Sequence, residues 1–426
     1  MRKSLVTAAV GLHLSVTTII YLAGKAGLLP PLFPDSLKYQ TQIVTLAGFL
    51  REFRFAAWLF AIVPVHVKLY SLSFLPFSRW LDFSILLIEP LNALYFLAIL
   101  SLVFKLSQQL FDTTTALLAA VIVGLWPSFL AHTTQPLHDA LFIMTALLFL
   151  FINLRWLKKD YALRKLPAVA ALGALTESLL WLTKSSMWEL MIAINFISLG
   201  LLVIRLLKER KVVWGNLLGA SLLLVIGLLI PRAALPFYAP VYYRAESYGV
   251  ASLNKDNTAP PVEVPEESRQ GETALSVRIS NLRERFILYY PGAGSNIDTD
   301  VRFDSTADII RYLPRAMLIG LFAPFPSMWF AAGSQNGRIG RIVGGAESLA
   351  LYGIEVMALV GLWHKRREPS AWFLFAVAIT AATALGLVVT NVGALYRMRY
   401  VFTMLLVILG SGGILHTLRL ISSKKP

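Results

Sequence analysis

Apolar blocks of about 20 residues, separated by short basic clusters, constrain this chain more than any other feature. A helix needs about 20 residues to cross a hydrocarbon core of about 30 Å. Lipid offers no partner to a backbone N–H or C=O, so blocks of that length must be helices. Clear blocks cover 5–23, 82–105, 114–131, 137–155, 167–183, 187–206, 214–231, 346–363, 371–390 and 399–418. These ten predict an all-α polytopic membrane protein. Composition agrees: the chain is 57% hydrophobic and 15% charged, against about 25% charged in a soluble domain.

Two further apolar stretches, 53–77 and 309–330, are ambiguous, and charge decides their reading. Arg155, Lys158, Lys159, Arg164 and Lys165 form one basic cluster, and Arg205, Lys208, Arg210 and Lys211 a second. Lys365, Arg366 and Arg367 form a third, and Arg419, Lys424 and Lys425 close the chain. Short basic segments stay on the cytoplasmic side. Ten crossings put all of them there, with Arg2 and Lys3. A crossing by 53–77 or by 309–330 would separate them. Both stretches therefore read as interfacial or re-entrant helices on the outer face. Residues 51–79 carry Arg51, Arg54, His66, Lys68 and Arg79 among aromatics, as interfacial helices do.

This predicts an N-terminal transmembrane module over 1–232 with a first outer loop at 24–81. A large outer loop follows at 233–345, then a C-terminal transmembrane module at 346–426. The segment from Ala259 to Gly271 is Pro- and Glu-rich and reads as mobile. The N-terminus reads as an uncleaved anchor. Both termini are expected in the cytoplasm.

The net charge of +15 follows from this topology. No basic stripe with interleaved aromatics suggests a nucleic-acid partner. The absence of cysteine excludes disulfides, thiolate catalysis and Cys-ligated zinc. There is no Walker loop, HExxH or GxSxG, and no internal repeat.

Ionisable groups inside spans are costly and mark function by default. Asp139 opens span four after His132 and His138. Glu89 is expected two turns into span two, and Glu177 two turns below the outer end of span five. Glu189 opens span six just after Lys184, and Arg397 and Arg399 open span ten. Bland readings stand beside these. Glu89, before Pro90, can pair with a base at a kink. Glu189 and Lys184 can be interfacial caps, and the two arginines can snorkel to headgroups. His132 is more often a structural hydrogen-bonder than a catalyst. Glu177 has no base near it in sequence. Asp35, in Leu32-Phe33-Pro34-Asp35-Ser36-Leu37-Lys38-Tyr39, faces the outer side directly after span one, or simply caps a helix.

Asp35 with Tyr39 four residues on resembles the first-loop signature of the GT-C superfamily of membrane glycosyltransferases. Protein O-mannosyltransferases and lipid A aminoarabinose transferase belong there. Gly124-Leu125-Trp126-Pro127-Ser128, then His132 to His138 and Asp139, is similar to the family's third and fourth spans. Leu182-Thr183-Lys184-Ser185 resembles its next outer turn. Asn391-Val392-Gly393 with Tyr396-Arg397-Met398-Arg399-Tyr400 resembles the Arg-rich entry to its last spans. The resemblance implies a GT-C-like fold and inverting transfer of a sugar from a polyprenyl-phosphate donor. The acceptor would be a glycan, lipid or protein on the outer face of a bacterial inner membrane, as in polysaccharide biosynthesis.

Carried over, Asp35 and Asp139 are the catalytic acids. Arg397, Arg399 and Arg315 hold the donor phosphate, and Tyr39, Lys38, His138, Glu177 and Lys184 complete the substrate-binding set. A divalent cation, Mg or Mn, is the cofactor such a site would take. Ser36 follows Asp35 where many members have a second acid, which weakens a metal-dependent mechanism. The rival readings are a polysaccharide polymerase or ligase using lipid-linked glycans, a transporter or flippase, and a non-catalytic scaffold. Transport would favour repeats and midplane charges, and the acids here gather on one side.

Overall fold

Helix lengths separate the segments that can cross a bilayer from those that cannot. The computed structural model describes residues 3–28, 32–247, 275–289, 294–330 and 337–423, and has no strand among them. The chain is an all-α polytopic membrane protein. The first helices are α1 (Lys3–Lys25), α2 (Pro34–Arg51), α3 (Phe55–Phe60), α4 (Val65–Phe74) and α5 (Glu89–Leu110). Then come α6 (Thr113–Gly124), α7 (Pro127–Thr133), α8 (His138–Lys158), α9 (Leu166–Lys184), α10 (Trp188–Glu209) and α11 (Trp214–Ser247). The remainder are α12 (Leu275–Tyr289), α13 (Thr306–Phe322), α14 (Gly337–His364), α15 (Pro369–Val388), α16 (Val392–Met398) and α17 (Tyr400–Ser422).

Among the described residues, eight helical stretches are long and apolar enough to cross a membrane, or nine if the bent pair α6–α7 counts as one span. One of the eight, Leu163–Glu209, has 47 residues and is itself two spans. Asn195 Nδ2 donates to Glu177 Oε1 at 2.7 Å, whereas a straight helix would hold residues so spaced about 27 Å apart. The chain therefore folds back at Lys184–Met187, where Lys184 leaves helical geometry at φ −155. With that division the expected ten spans are recovered. Span three is not straight: α6 and α7 meet at 68°. Pro127 pushes the residue before it out of helical geometry, and Trp126 sits at ψ 110. Span two begins at Glu89 rather than 82, because 82–88 is turn and irregular chain. Glu89 thus lies at the first turn of α5 and not two turns inside it. In the first loop, α3 and α4 have 6 and 10 residues, too short to cross, in line with the non-crossing reading of 53–77. Helix α13, with 17 residues and Pro314 inside it, is also not among the spans.

The chain divides into two units: Met1–Lys105 with Gly124–Pro261, and Leu106–Val123 with Val262–Pro426. In the first unit the loop helices bury their own core. Ile43, Leu46 and Ala47 of α2 pack with Val67, Tyr70 and Phe74 of α4, against Tyr95 of α5 and Ala140 and Leu141 of α8. Each large apolar side chain so buried contributes about 1.5–3 kcal/mol. This fixes α2 and α4 over the start of α8. The far ends of the spans carry the basic clusters. Arg205 and Lys211 both bind Asp160, at 2.7 and 2.8 Å, and both also meet Glu209. The 155–165 and 205–211 clusters therefore share one end, a full helix length from Asp139 and Lys184.

In the second unit, small residues bring backbones into contact. A Cβ at Gly320 of α13 would stand 1.9 Å from Ala382 O, and one at Gly386 of α15 2.0 Å from Ala316 O, so these helices run antiparallel. Helices α14 and α17 run parallel. Glu347 meets Tyr396 just before α17 at one end, and His364 stacks on His416 at the other. Lys365–Glu368 and Arg419–Asp112 pairs lie at that second end. Close backbone approach through glycine is how helices associate without a hydrophobic driving force. A Cβ at Gly413 would stand 2.0 Å from Met357 O. Gly413→Ala is expected to destabilise the protein by about 1–3 kcal/mol, read as a lowered thermal midpoint in detergent. An unchanged midpoint would show that α14 and α17 are not so tightly joined.

Candidate functional site

The turn before α8 is held from two directions. Tyr70 of α4 donates its hydroxyl to Asn92 Oδ1 at 2.7 Å, and Asn92 Nδ2 donates to Thr134 O at 3.0 Å. Phe33 N–H donates to Gln135 Oε1 at 3.2 Å, so α2 starts beside the same turn. The backbone of Asp35 lies in the first turn of α2, and its side chain lies outside the described residues. Leu137 is extended and α8 begins at His138, with Asp139 in its first turn.

Around that start, four elements contribute polar side chains. Asp139 is 4% exposed. Lys184, at the end of α9, stands 3.9 Å from its Oδ1, and His138 Nε2 stands 3.4 Å from the same atom. Lys184 also lies over the Phe142 ring. His66 of α4 faces His138 with ring centroids 5.7 Å apart, and Tyr39 of α2 meets it edge-on at 4.6 Å. Tyr70 also meets His66 edge-on, with centroids 6.3 Å apart. His66 is buried, and among the described residues neither ring nitrogen has a hydrogen-bond partner. Four expected site residues, Tyr39, His138, Asp139 and Lys184, are therefore brought together. His66 and Tyr70 join them unannounced by any local motif. Lys38 is exposed on α2. One carboxylate, one ammonium and two imidazoles make a group that can take a proton and meet an anion.

Glu177 is not in this group. It is buried and bonded by Asn195, facing Gly227 of α11, inside the α9–α10 hairpin. Glu189 is exposed in the first turn of α10, and His132 Nδ1 lies 2.7 Å from Ser128 O. Glu89 pairs with His13 of α1, Nδ1 to Oε1 at 2.6 Å. Thr17 donates to its other oxygen at 2.8 Å, and His13 Nε2 lies 3.0 Å from the Thr133 hydroxyl. His13 was legible as an ionisable group in the middle of an apolar span, and it supplies the base that Glu89 was expected to find.

In the second unit, Asp298, at φ 51, anchors a different network. Arg315 reaches it through Nε at 3.0 Å and Nη2 at 3.2 Å, and Tyr312 donates at 2.8 Å. Burial pushes the Asp298 carboxyl up, but these bonds outweigh it and hold the group below its ordinary value. Burial and the bond to Asp298 push Tyr312 up to about 12. The buried Arg283 ties Leu387 O to Asp298 O, 2.7 Å to each. Arg399 is 3% exposed and donates to the carbonyls of Gly320 and Leu321 at the end of α13. It stacks on Tyr396, and its buried Nη2 has no partner among the described residues. Arg397 is half-buried in the last turn of α16.

No family model matches the chain, and no curated protein matches it. Among solved structures it is similar to the archaeal oligosaccharyltransferase AglB from Archaeoglobus fulgidus, in complex with an inhibitory peptide and a dolichol-phosphate. Identity is 18% and the TM-score 0.48, over 97% of this chain and 52% of that one. The chain thus spans about half the length of that protein.

Two outcomes follow from the buried polar groups. Burial, then the neighbouring His138, holds the His66 imidazole well below 6.5, with Asp139 opposing in part. The unfolded chain therefore takes this proton at higher pH than the native protein does. Native stability from this source is intact above about pH 6.5 and declines as pH falls below it. The thermal midpoint should fall from pH 7 to pH 5, and His66→Phe should flatten that fall. Equal slopes in both proteins would exclude His66 as the source. Separately, His13→Leu leaves Glu89 without its base and should cost about 3–5 kcal/mol. Adding Glu89→Gln should restore most of the loss in denaturation measurements.

Proposed function

We propose that the chain is a glycosyltransferase moving a sugar from a polyprenyl-phosphate donor to a glycan, lipid or protein acceptor. The observation that carries this reading is the gathering of Tyr39, His66, His138, Asp139 and Lys184 beside the first turn of α2, where Asp35 begins its helix. Asp35 and Asp139 are the carboxylates assigned to the acceptor hydroxyl. One takes the hydroxyl proton as the acceptor oxygen bonds to the anomeric carbon. The bond from that carbon to the phosphate oxygen breaks on the opposite face, so configuration inverts and polyprenyl phosphate leaves. Lys184 and His138 meet the charge that develops on the departing phosphate. Arg315, Arg397 and Arg399 of the second unit, with Lys38 and Glu177, remain in the proposed substrate-binding set on the resemblance alone.

The donor set around Asp139 is one carboxylate with a lysine and two histidines. Mg and Mn take mainly oxygen ligands, and among the described residues no three His, Asp or Glu side chains are placed to hold a metal. No step is therefore routed through a cation. The sharing of one end by each unit's basic clusters supports the proposed topology, with both termini cytoplasmic and Asp139 on the outer face of a bacterial inner membrane.

Asp35→Ala and Asp139→Ala should each lower transfer by about 10²-fold or more, with unchanged membrane insertion. The assay uses purified protein with polyprenyl-phosphate monosaccharide and oligosaccharide donors. Turnover of the oligosaccharide donor alone would select the polymerase or ligase reading. Full activity in both variants would remove the assignment of these acids.

A further inference from the structure

The turn that ends α2 contains an energetic anomaly. Arg54 N–H donates to Phe49 O at 2.8 Å and Phe53 N–H to Leu50 O at 3.1 Å. These bonds form the helix-ending motif in which the residue after the cap adopts left-handed geometry, and glycine usually holds that place. Here it is Phe53, at φ 58, a conformation costing a side-chain-bearing residue about 1–2 kcal/mol. The ring gains little burial among the described residues to set against that cost, because Phe53 is 79% exposed. Its neighbours share the pattern. Phe55 lies against it with centroids 6.1 Å apart. Arg51 Nη1 donates to Ser78 O at 2.9 Å, which brings the 78–82 turn to the same place, with Trp80 74% and Leu81 53% exposed. Cations border these apolar groups: Arg54 lies over Phe49, and Arg79 is exposed. Beside the patch is a cavity of about 380 Å³ lined by Gln40, Gly48, Arg51, Ser78 and Asp82 among others. A guanidinium and a carboxylate lining one cavity complement a zwitterion.

We infer that this end of the first loop docks on phospholipid: Phe53, Phe55, Trp80 and Leu81 enter the acyl edge of the bilayer, and the adjoining cavity seats a headgroup carrying a phosphate and an amine. Arg51 meets the phosphate and Asp82 the amine. Aromatic rings with flanking arginines suit the headgroup boundary, and transfer of the Phe53 ring out of water offsets its backbone strain. The inference rests on the outer-face reading of the first loop and not on glycosyl transfer, so loss of either leaves the other standing.

The chain has no cysteine, so Phe53→Cys introduces its single thiol. That protein, labelled with an environment-sensitive nitrobenzoxadiazole and placed in phospholipid nanodiscs, should show blue-shifted emission. Lipids bearing a nitroxide at a shallow acyl position should quench it. Leu81→Cys should behave alike, which guards against a special effect at residue 53. Emission as in water with no quenching at both positions would overturn the proposal. In a second arm, wild-type protein in mixed phosphatidylethanolamine and phosphatidylglycerol is purified and its retained lipid measured. Arg51→Ala and Asp82→Ala should each lower retained phosphatidylethanolamine several-fold. Unchanged retention in both would overturn the headgroup site.

Discussion

A polar group in hydrocarbon must find its partner inside the protein, and that constraint joins the spans of this chain. The backbone satisfies it by becoming helix. The side chains satisfy it in pairs that cross between helices. His13 and Glu89 lock α1 to α5, with Thr133 of α7 as a third contact. Glu177 and Asn195 close the α9–α10 hairpin. Removing one member leaves the other buried and unpaired, a larger loss than the bond itself contributes. These contacts therefore specify which helices meet, beyond what apolar surfaces of similar character can decide.

The same rule explains what the sequence discloses. Span number and order were readable because length and hydropathy are local quantities, and the sharing of ends by basic clusters followed from charge. The block 114–131 was read as one unbroken span, and the 68° bend at Pro127 was not foreseen, because hydropathy runs through the break. The depth of Glu89 was misjudged because 82–88 is apolar without being helical, and hydropathy cannot separate the two. Glu177 looked isolated, although Asn195 stands as far from the hairpin turn on the other helix, and the pairing follows once the fold-back is recognised. His66 and Tyr70 were not legible as site residues. Their place beside Asp139 depends on α4 packing over α8, a contact between residues about 70 positions apart in the chain.

The arginines divide along another line. Arg283, Arg315 and Arg399 were equivalent as cations in sequence, but each is committed differently. Arg283 and Arg399 bond carbonyl oxygens at the ends of α15 and α13, where helices leave acceptors unsatisfied. Arg315 holds a carboxylate in bidentate fashion. A guanidinium has five donors in a fixed fork, and Arg399, which bonds two carbonyls through Nη1, keeps a buried Nη2 with no partner among the described residues.

A comparable economy governs the group around Asp139. Its carboxylate lies near both Lys184 and His138, and the second imidazole, His66, is kept neutral by burial. A neutral imidazole carries one donor and one acceptor nitrogen, and neither nitrogen of His66 has a hydrogen-bond partner among the described residues. Because α2 and α4 position Tyr39 and His66 while α8 and α9 position Asp139 and Lys184, the group exists only when the loop helices are seated on the spans. Any movement that lifts α4 from α8 separates the imidazoles and hydrates His66, which then titrates as an ordinary histidine. The seating of the first loop and the chemistry of the proposed site are in this sense one equilibrium.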